Sequence, residues 1–438
     1  MTTAIELPHA KRTLANGLDV VVHEARGVPI VAVSLWYHVG SKDEHPGSTG
    51  FAHLFEHLMF EGSEHHNAGF FAPLQRAGAL LNGSTNTDRT NYWEVVPTGA
   101  LDLALWMESD RMGYLLPALT RERFETQRDV VLNERRQNYE NRPYGLAMMA
   151  LAAALYPPDH PYHWVTIGAV ADIQAMRFEA VQDFFRTYYH PANASLVLAG
   201  DIDTSQAFEL AEQYFGEIPS GPAPRRVSGR ASLSSEVRLV LEDRVELPRL
   251  YVAWHSPAMF ASGDAEADLL ADILANGKTS RLYRTLVYDE RVALDVSAYQ
   301  NSRELGGFFL LVSTGAPGRS LAEIAAAVDA AIDTLCADGP TDEEMERGRA
   351  QAEAQFIYRL QTVGGFGGKS DQLNSYNVFR GDPGYFGADL ARYRDATRDT
   401  VRAAARDCLA AGRRVVLSVV PRGQAALAVA GSEPVSVS

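Results

Sequence analysis

The order of apolar segments in the first half of the chain is repeated in the second half. Three strand patterns recur in the same order, at 18–22, 30–36 and 194–200 and again at 237–241, 250–255 and 415–420. Short runs of β-branched and aliphatic residues between turn residues are typical of buried strands. A chain of 438 residues is also too long for one ordinary hydrophobic core. The repetition therefore predicts two related domains.

A segment rich in proline, glycine and serine separates the two halves. It occupies 221–235 and begins Gly-Pro-Ala-Pro, a composition typical of linkers. We therefore predict domains at 1–220 and 236–438, joined by a linker at 221–235. Because strand patterns are mixed with long helical patterns, we expect the α+β class, with each domain a mixed or antiparallel sheet covered by helices.

The first half contains the pattern His-x-x-Glu-His, at His53, Glu56 and His57. On an α-helix these three side chains point to one side, while the apolar residues of the segment point broadly away from it. Two imidazoles four residues apart can bind one divalent metal, and the glutamate between them reaches the open position of that metal. Gly62 is expected to end the helix. The alternative is a chance grouping on a surface helix.

Two histidines do not complete a catalytic zinc site, which usually has three protein ligands. The helical pattern at 121–139 offers Glu134 as the third. Glu125, Asp129 and Glu140 belong to the same region and have the same chemistry. Composition alone does not choose among these four carboxylates.

These features resemble the pitrilysin/insulinase family of inverted-zincin peptidases, and within it the branch of mitochondrial processing peptidases and their bacterial relatives. The resemblance covers nearly the whole chain and is carried by 14–18, 50–53, 128–131, 160–162, 167–168, 189–193 and 200–201. The family places its third ligand, a glutamate, seventy-odd residues after the second histidine. Glu134 lies 134 − 57 = 77 positions after His57. The resemblance thus implies Zn²⁺ held by His53, His57 and Glu134, with Glu56 activating water to hydrolyse peptides or small unfolded proteins.

The segment at 80–93 resembles the strand that follows the metal helix in this family. The edge of that strand pairs with an extended substrate there, and such pairing reads backbone rather than sequence. Asn82, Gly83 and Thr85 are the substrate-binding residues expected from the resemblance. The alternative is an ordinary polar edge strand with a glycine bulge.

Two departures from the family pattern bear on the active site. Gln127 stands where members often carry a glutamate that is not a ligand, so we expect zinc to be retained with altered surroundings. Val287 and Leu294 stand where the family has an arginine and a tyrosine, and neither side chain can stabilise an oxyanion. We therefore predict a heterodimer in which a homologous partner subunit supplies the Arg/Tyr pair. The alternative is an alignment slip near Arg281 and Tyr283.

Composition and termini limit the remaining functions. A net charge of −15 argues against nucleic acid as a partner, and the lack of an apolar run of 18 residues argues against a membrane span. The segment 1–6 has no basic or apolar region of a signal peptide, which predicts a cytoplasmic location, or a periplasmic one if a leader has been removed.

Two further alternatives concern function. The glycine-rich run at 363–369 lacks the opening glycine of a phosphate loop, so we expect a flexible hinge there rather than a nucleotide site. Some members of the resembled family, such as respiratory-complex core proteins, are catalytically silent scaffolds. Their usual mark is a broken zinc motif, whereas this chain has all the expected ligands.

Overall fold

The computed structural model describes residues 6–223 and 226–437. The first five residues, on which the signal-peptide argument rests in part, and two residues of the predicted linker lie outside this range. The strands are β1 Ala10–Thr13, β2 Asp19–Glu24, β3 Ile30–Tyr37, β4 Leu80–Thr85, β5 Thr90–Pro97, β6 Ala194–Gly200, β7 Val237–Asp243, β8 Arg249–Ser256, β9 Ala293–Asn301, β10 Gly307–Gly315, β11 Val415–Pro421 and β12 Glu433–Pro434.

The α-helices between and after these strands differ widely in length. They are α1 Phe51–Leu58, α2 Phe71–Arg76, α3 Leu101–Ala118, α4 Arg121–Arg135, α5 Ala147–Leu155, α6 Val170–Ala175, α7 Phe178–Tyr188, α8 Thr204–Phe215, α9 Asp264–Ala275, α10 Leu321–Asp338, α11 Asp342–Arg359, α12 Lys369–Arg380, α13 Phe386–Asp395 and α14 Arg398–Cys408. Within the described ranges no helix combines the length and apolarity that crossing a membrane requires.

The strands form two six-stranded sheets with the same pattern of connections. Their orders are β1-β2-β6-β3-β5-β4 and β12-β7-β11-β8-β10-β9. Both sheets are mixed, because β2 pairs with β6 and β7 pairs with β11 in parallel while the hairpins are antiparallel. The predicted α+β class with two related sheets is confirmed. In each sheet the outer strand of a hairpin, β4 or β9, forms one edge.

The chain forms two compact units, each built from three separate segments. The first contains Met1–Asn133, Thr166–Val227 and Gln355–Asp389, and the second contains Glu134–Val165, Ser228–Ala354 and Leu390–Ser438. Each unit therefore takes a helix from the opposite half of the sequence. Helix α12 packs on β3 and β6 of the first sheet, and α5 packs on β8 and β11 of the second.

The predicted division at 1–220, 221–235 and 236–438 follows the sequence, and the compact units cross it at these two helices. The apolar side of an amphipathic helix specifies burial but not which sheet it covers. For that reason the exchange has no local signature in the sequence. The division stays a prediction about folding domains.

An aromatic cluster fixes α1 against α7 in the first unit. The fully buried ring of Phe55 lies 5.8 Å from that of Phe184, 5.7 Å from that of Phe185 and 5.0 Å from that of Tyr189, between centroids. Such ring pairs stabilise the packing beyond the area they bury. One side of α1 is therefore held rigidly, which leaves the side carrying His53 and His57 in a defined position.

Candidate metal centre

Helix α1 begins at a glycine and is capped by a distant carboxylate. Gly50 has φ +94°, a conformation that glycine adopts without strain. The buried Glu44 side chain accepts hydrogen bonds from the backbone N–H of Gly50 and of Ala52, both at 2.9 Å. These bonds satisfy donors that have no partner within the helix, and the negative charge suits the positive end of the helix dipole. The cap thus fixes the first turn, from which His53 projects.

The other end of α1 differs from the sequence prediction. The helix ends at Leu58, and Gly62 lies four residues farther along, with φ +140° in the turn that follows. A Cβ on Gly62 would lie 2.8 Å from the carbonyl oxygen of Ala68. Gly62 is therefore required by close contact within this turn rather than by the end of the helix.

The structure brings together the three side chains that the resemblance implies as ligands. His53 and His57 lie one turn apart on α1, with ring centroids 4.9 Å apart. Glu134 lies in the last turn of α4. One ligand atom from each of the three lies within 4.8 Å of the other two. Among the described residues, no other group of three histidine, cysteine or acidic side chains converges in this way.

The rival carboxylates of the same region do not join this group. Glu125 and Asp129 are exposed to solvent, and Asp129 lies 3.9 Å from the guanidinium of Arg128. Glu140 forms an ion pair with Arg135 at 3.2 Å. Position on the helix therefore separates Glu134 from alternatives that composition left open.

The Glu134 carboxylate is placed by a change of helix type that the sequence did not reveal. A π-helical turn at Arg136–Glu140 continues α4 directly. Its residue Asn138 donates a side-chain hydrogen bond to Glu134 at 3.3 Å. Burial raises the pKa of Tyr139, and the negative charge of Glu134 raises it further. Single π-helical turns are frequent at functional sites, and this one surrounds the carboxylate with polar neighbours.

The donor set fits zinc by its chemistry. Two imidazole nitrogens and one carboxylate oxygen form the His₂Glu set found in catalytic zinc peptidases, which leaves a further position for water. Calcium and magnesium prefer sites made of oxygen ligands, whereas two of the three donors here are nitrogens. The residues present therefore suit a transition metal of the zinc type.

Glu56 has buried charged and aromatic neighbours. Burial lowers the pKa of the Arg89 guanidinium, and the negative charges of Asp371 and Glu56 oppose that shift. Burial is the main cause of the raised pKa of Tyr92, and Glu56 adds to it. The Arg89 side chain also donates a hydrogen bond to the carbonyl oxygen of Ser84 on β4, at 2.9 Å. Arg89 thus interacts with both the candidate base and the edge strand, a role that sequence reasoning missed.

Asp371 is the second residue that sequence reasoning missed. Its carboxylate, on the first turn of α12, accepts hydrogen bonds from the indole of Trp36 at 3.1 Å and from the amide of Asn91 at 3.2 Å. It also accepts the backbone N–H of Gly367 at 2.8 Å. Burial raises the pKa of Asp371, and these hydrogen bonds oppose that rise. No sequence signal links residue 371 to β3 and β5, because the contact spans more than 270 residues.

Strand β4 is an edge strand next to α1. It is the last strand of the first sheet and pairs with β5. Gly83 is buried, and a Cβ there would lie 2.9 Å from the ring of Tyr92 and 3.0 Å from that of Phe60. Asn82 is exposed, and the half-buried Thr85 hydroxyl makes no hydrogen bond to another described residue. The geometry has the features of an edge that an extended peptide can join.

The two positions where the resemblance expects an arginine and a tyrosine lie in the second unit. Val287 packs against the hydrophobic core of that unit, and Leu294 on edge strand β9 is 52% exposed. The nearby Arg281 is held by Glu344 through two hydrogen bonds of 2.7 Å. Tyr283 packs on the same core as Val287. The side chains of Arg281 and Tyr283 therefore both contact other residues of the second unit.

Two models of one peptidase family match the chain. The family model described as "Insulinase (Peptidase family M16)" matches residues 19–160. A second model, described as "Peptidase M16 inactive domain", matches residues 175–352.

Several relatives cover much of the chain. The zinc protease PqqE of Helicobacter pylori is 29% identical over 81% of this chain and 80% of its own length. An uncharacterized zinc protease of Mycobacterium tuberculosis is 30% identical over 67% of this chain and 69% of its own. The β subunit of the mitochondrial-processing peptidase of Caenorhabditis elegans is 26% identical over 55% of this chain and 51% of its own.

A protease from Helicobacter pylori is among the solved structures that superpose on nearly the whole chain, with a TM-score of 0.89 and 26% identity. The match covers 95% of this chain and 100% of that chain.

Proposed function

Because the chain belongs to the insulinase (M16) family of peptidases, we propose that it is the zinc-binding subunit of an endopeptidase that hydrolyses peptides or small unfolded proteins. His53, His57 and Glu134 hold the metal, and Glu56 is the catalytic base. The observation that carries this proposal is the convergence of the three ligand atoms within 4.8 Å. The relatives named zinc proteases support the choice of zinc.

The proposed mechanism assigns a separate task to each part of the site. Zinc, when bound, acts as a Lewis acid and lowers the pKa of water. Glu56 lies between the two histidines on α1, accepts a proton from the attacking water and returns it to the leaving amine. The edge of β4 pairs with the backbone of the peptide. Gly83 keeps that edge in place, because a Cβ there would press on the rings of Tyr92 and Phe60.

A homologous partner subunit completes the site in this proposal. The developing negative charge on the scissile carbonyl needs hydrogen-bond donors. Val287 and Leu294 have none, and Arg281 is engaged by Glu344. The match to a processing-peptidase β subunit supports a heterodimer as the form of assembly. The partner is therefore a related chain that carries the Arg/Tyr pair.

A catalytically silent scaffold is the second candidate. The match of residues 175–352 to a model described as an inactive domain favours it. A scaffold has no need of a base beside two histidines, so the two candidates differ in their response to substitution at Glu56. The first proposal requires hydrolysis that depends on this carboxylate, whereas a scaffold shows none with any partner.

The experiment measures zinc content and peptide hydrolysis together. We expect about one zinc per chain and cleavage of internally quenched peptides when the homologous partner is co-expressed. Glu56→Gln should keep zinc and lower the rate by at least about a hundredfold, since general acid–base catalysis contributes on the order of 10²–10⁴. Glu64→Gln, at an exposed position nearby, is the matched control and should keep full activity.

Three outcomes would contradict parts of this proposal. Absence of bound zinc from the purified chain would contradict the metal centre. Full hydrolysis by Glu56→Gln would contradict the role of Glu56 as the base. Full activity of the pure chain without a partner would contradict the heterodimer but not the peptidase activity.

A further inference from the structure

A cavity of about 500 Å³ lies at the start of β4, on the side of the first sheet that α12 covers. Its floor and walls include the apolar side chains of Val28, Ile30, Leu80 and Val95. The glycine-rich run and the first residue of α12 close another side. Binding sites for small ligands and peptide side chains commonly have volumes of roughly 300–1,000 Å³, so this cavity has the size of a subsite.

The glycine-rich run is held against the sheet and forms a wall of the cavity. A Cβ on Gly364 would lie 2.6 Å from Cβ of Ala32 and 2.7 Å from Cγ2 of Val95, so only glycine fits there. The rings of Phe366 and Trp93 contact edge to face at 5.5 Å. The segment predicted as a flexible hinge is thus anchored to β3 and β5, and the cavity beside it has fixed walls.

The charge of the cavity is opposite to that of the chain. Its twelve lining residues include two cations, Arg26 and Lys369, and no acidic side chain, although the chain carries a net charge of −15. Arg26 is already paired with Glu24 at 3.0 Å and Asp203 at 3.2 Å. The Lys369 ammonium makes no hydrogen bond or ion pair with any residue in the described ranges.

Lys369 also occupies an unfavourable position for a cation. It is the first residue of α12, where the helix dipole favours negative charge. Asp371 lies in the same turn, and its carboxylate accepts hydrogen bonds from Trp36, Asn91 and Gly367. An anion bound in the cavity would interact favourably with both the ammonium and the helix N-terminus.

The cavity lies at the N-terminal end of the exposed edge of β4. Leu80 is the first residue of that strand and is 69% exposed. Gly83 lies three positions farther along the strand, a distance of about 10 Å. A peptide paired with β4 that extends beyond Leu80 therefore reaches the cavity, and its alternate side chains point to the α12 side of the sheet.

We propose that this cavity binds the carboxyl-terminal end of the peptide substrate, with an apolar terminal side chain against Leu80 and Val95 and the α-carboxylate at Lys369. This inference rests on the proposed function, because the same strand edge carries the peptide to Glu56. The position of Lys369 beyond the start of β4 sets the direction of the peptide, which runs antiparallel to β4. The substrates are therefore peptides with a free carboxyl terminus and an apolar last residue.

The test measures binding without hydrolysis. The full chain with Glu56→Gln is titrated into two fluorescein-labelled decapeptides that end in leucine, one with a free carboxylate and one with a carboxamide. We expect the free acid to bind about tenfold more tightly, the effect of one charge-assisted contact. Adding Lys369→Ala should abolish this preference, whereas Lys369→Arg should retain it. Lys278→Ala, at an exposed site in the second unit, is the matched control and should leave the preference unchanged.

Equal affinity for the two decapeptides, or an unchanged preference after Lys369→Ala, would overturn the subsite. Cleavage of internally quenched peptides by the wild-type chain and its partner would leave the proposed function intact in that case. Failure of the wild-type complex to hydrolyse any peptide would overturn the proposed function and the subsite together. Binding of a fluorescent dodecanoate that depends on Lys369, with no binding of either decapeptide, would overturn the peptide assignment in favour of a fatty acid.

Discussion

The side-chain amide of Gln127 donates a hydrogen bond of 2.6 Å to the carboxylate of Glu61. This bond joins α4, which carries Glu134, to the turn that follows α1, which carries His53 and His57. Members of the family often have a glutamate in place of Gln127, which would put two carboxylates at this distance. In this chain the contact between the two elements is therefore attractive, and a glutamate at position 127 would make it repulsive.

Gln127→Glu should make the stability of the protein depend on pH. A second carboxyl beside Glu61 would have its folded pKa raised by the like charge. Its contribution to stability would be present at low pH and lost as pH rises through that folded pKa. We expect a melting temperature close to that of the wild type near about pH 5 and lower near about pH 8. Gln127→Ala, which removes the bond without adding charge, should lower it equally at both values.

Metal removal should destabilise the wild type and leave ligand variants unaffected. A metal that binds the folded state alone raises stability by mass action, so a chelator should lower the melting temperature of the wild-type chain. His53→Ala and Glu134→Ala should show no response, because they lack the complete donor set. Glu140→Ala, which removes the ion pair with Arg135, should respond as the wild type does. The reverse pattern at Glu134 and Glu140 would assign the third ligand to Glu140.

Gly83→Ala should impair peptide binding more than folding. The new Cβ would contact the rings of Tyr92 and Phe60 at about 3 Å, and overpacking of this kind costs about 1–3 kcal/mol of stability. The displaced strand edge should lower kcat/KM by about tenfold or more. Gly99→Ala is the matched control, since its Cβ would have no neighbour within 4 Å. Wild-type kcat/KM in Gly83→Ala would argue against β4 as the substrate edge.

Asp268 should make the second unit less stable as the solution becomes alkaline. Burial raises the pKa of Asp268 to about 7, although the Tyr393 hydroxyl donates a hydrogen bond to it at 2.6 Å. Because the folded pKa exceeds the unfolded value near about 3.9, the contribution is present below about pH 4 and lost as pH rises through about 7.

Replacement of Asp268 by asparagine should remove this loss. The amide stays neutral at every pH, so Asp268→Asn should melt at a higher temperature than the wild type near about pH 8 and similarly near about pH 4. Asp338→Asn, at an exposed position, should not alter the pH profile. Identical profiles for Asp268→Asn and the wild type would show that this carboxyl does not control alkaline stability.

Local periodicity predicted the parts of the site that depend on neighbours in sequence. His53, Glu56 and His57 share a side of α1 because helix geometry alone places them there. The edge position of β4 was implied by the family resemblance, and the sheet order agrees with it. The family spacing pointed to Glu134 as the residue that joins the two histidines. Its metal-binding role stays a proposal. The cap by Glu44 was missed because that residue precedes Gly50 by six positions, outside the usual capping range.

Long-range packing explains what the sequence did not reveal. Some contacts join residues that are far apart in the sequence. Asp371 bonds to Trp36 and Asn91, and Gly364 packs closely on Ala32. Glycine at position 364 was interpreted as flexibility, whereas its lack of a side chain permits close packing. A glycine in the sequence can mean flexibility or close packing, and only its tertiary neighbours distinguish the two.

The exchange of α5 and α12 between the two units has a consequence for synthesis on the ribosome. Strand β6 completes the first sheet near residue 200, but α12, which packs on β3 and β6, begins at Lys369. Synthesis proceeds at about 5–20 residues per second, so α12 is translated roughly 10–30 s after the last strand of the sheet. The first half of the chain therefore cannot finish folding as it emerges, and its exposed surface is a target for chaperones until nearly the whole chain has been translated.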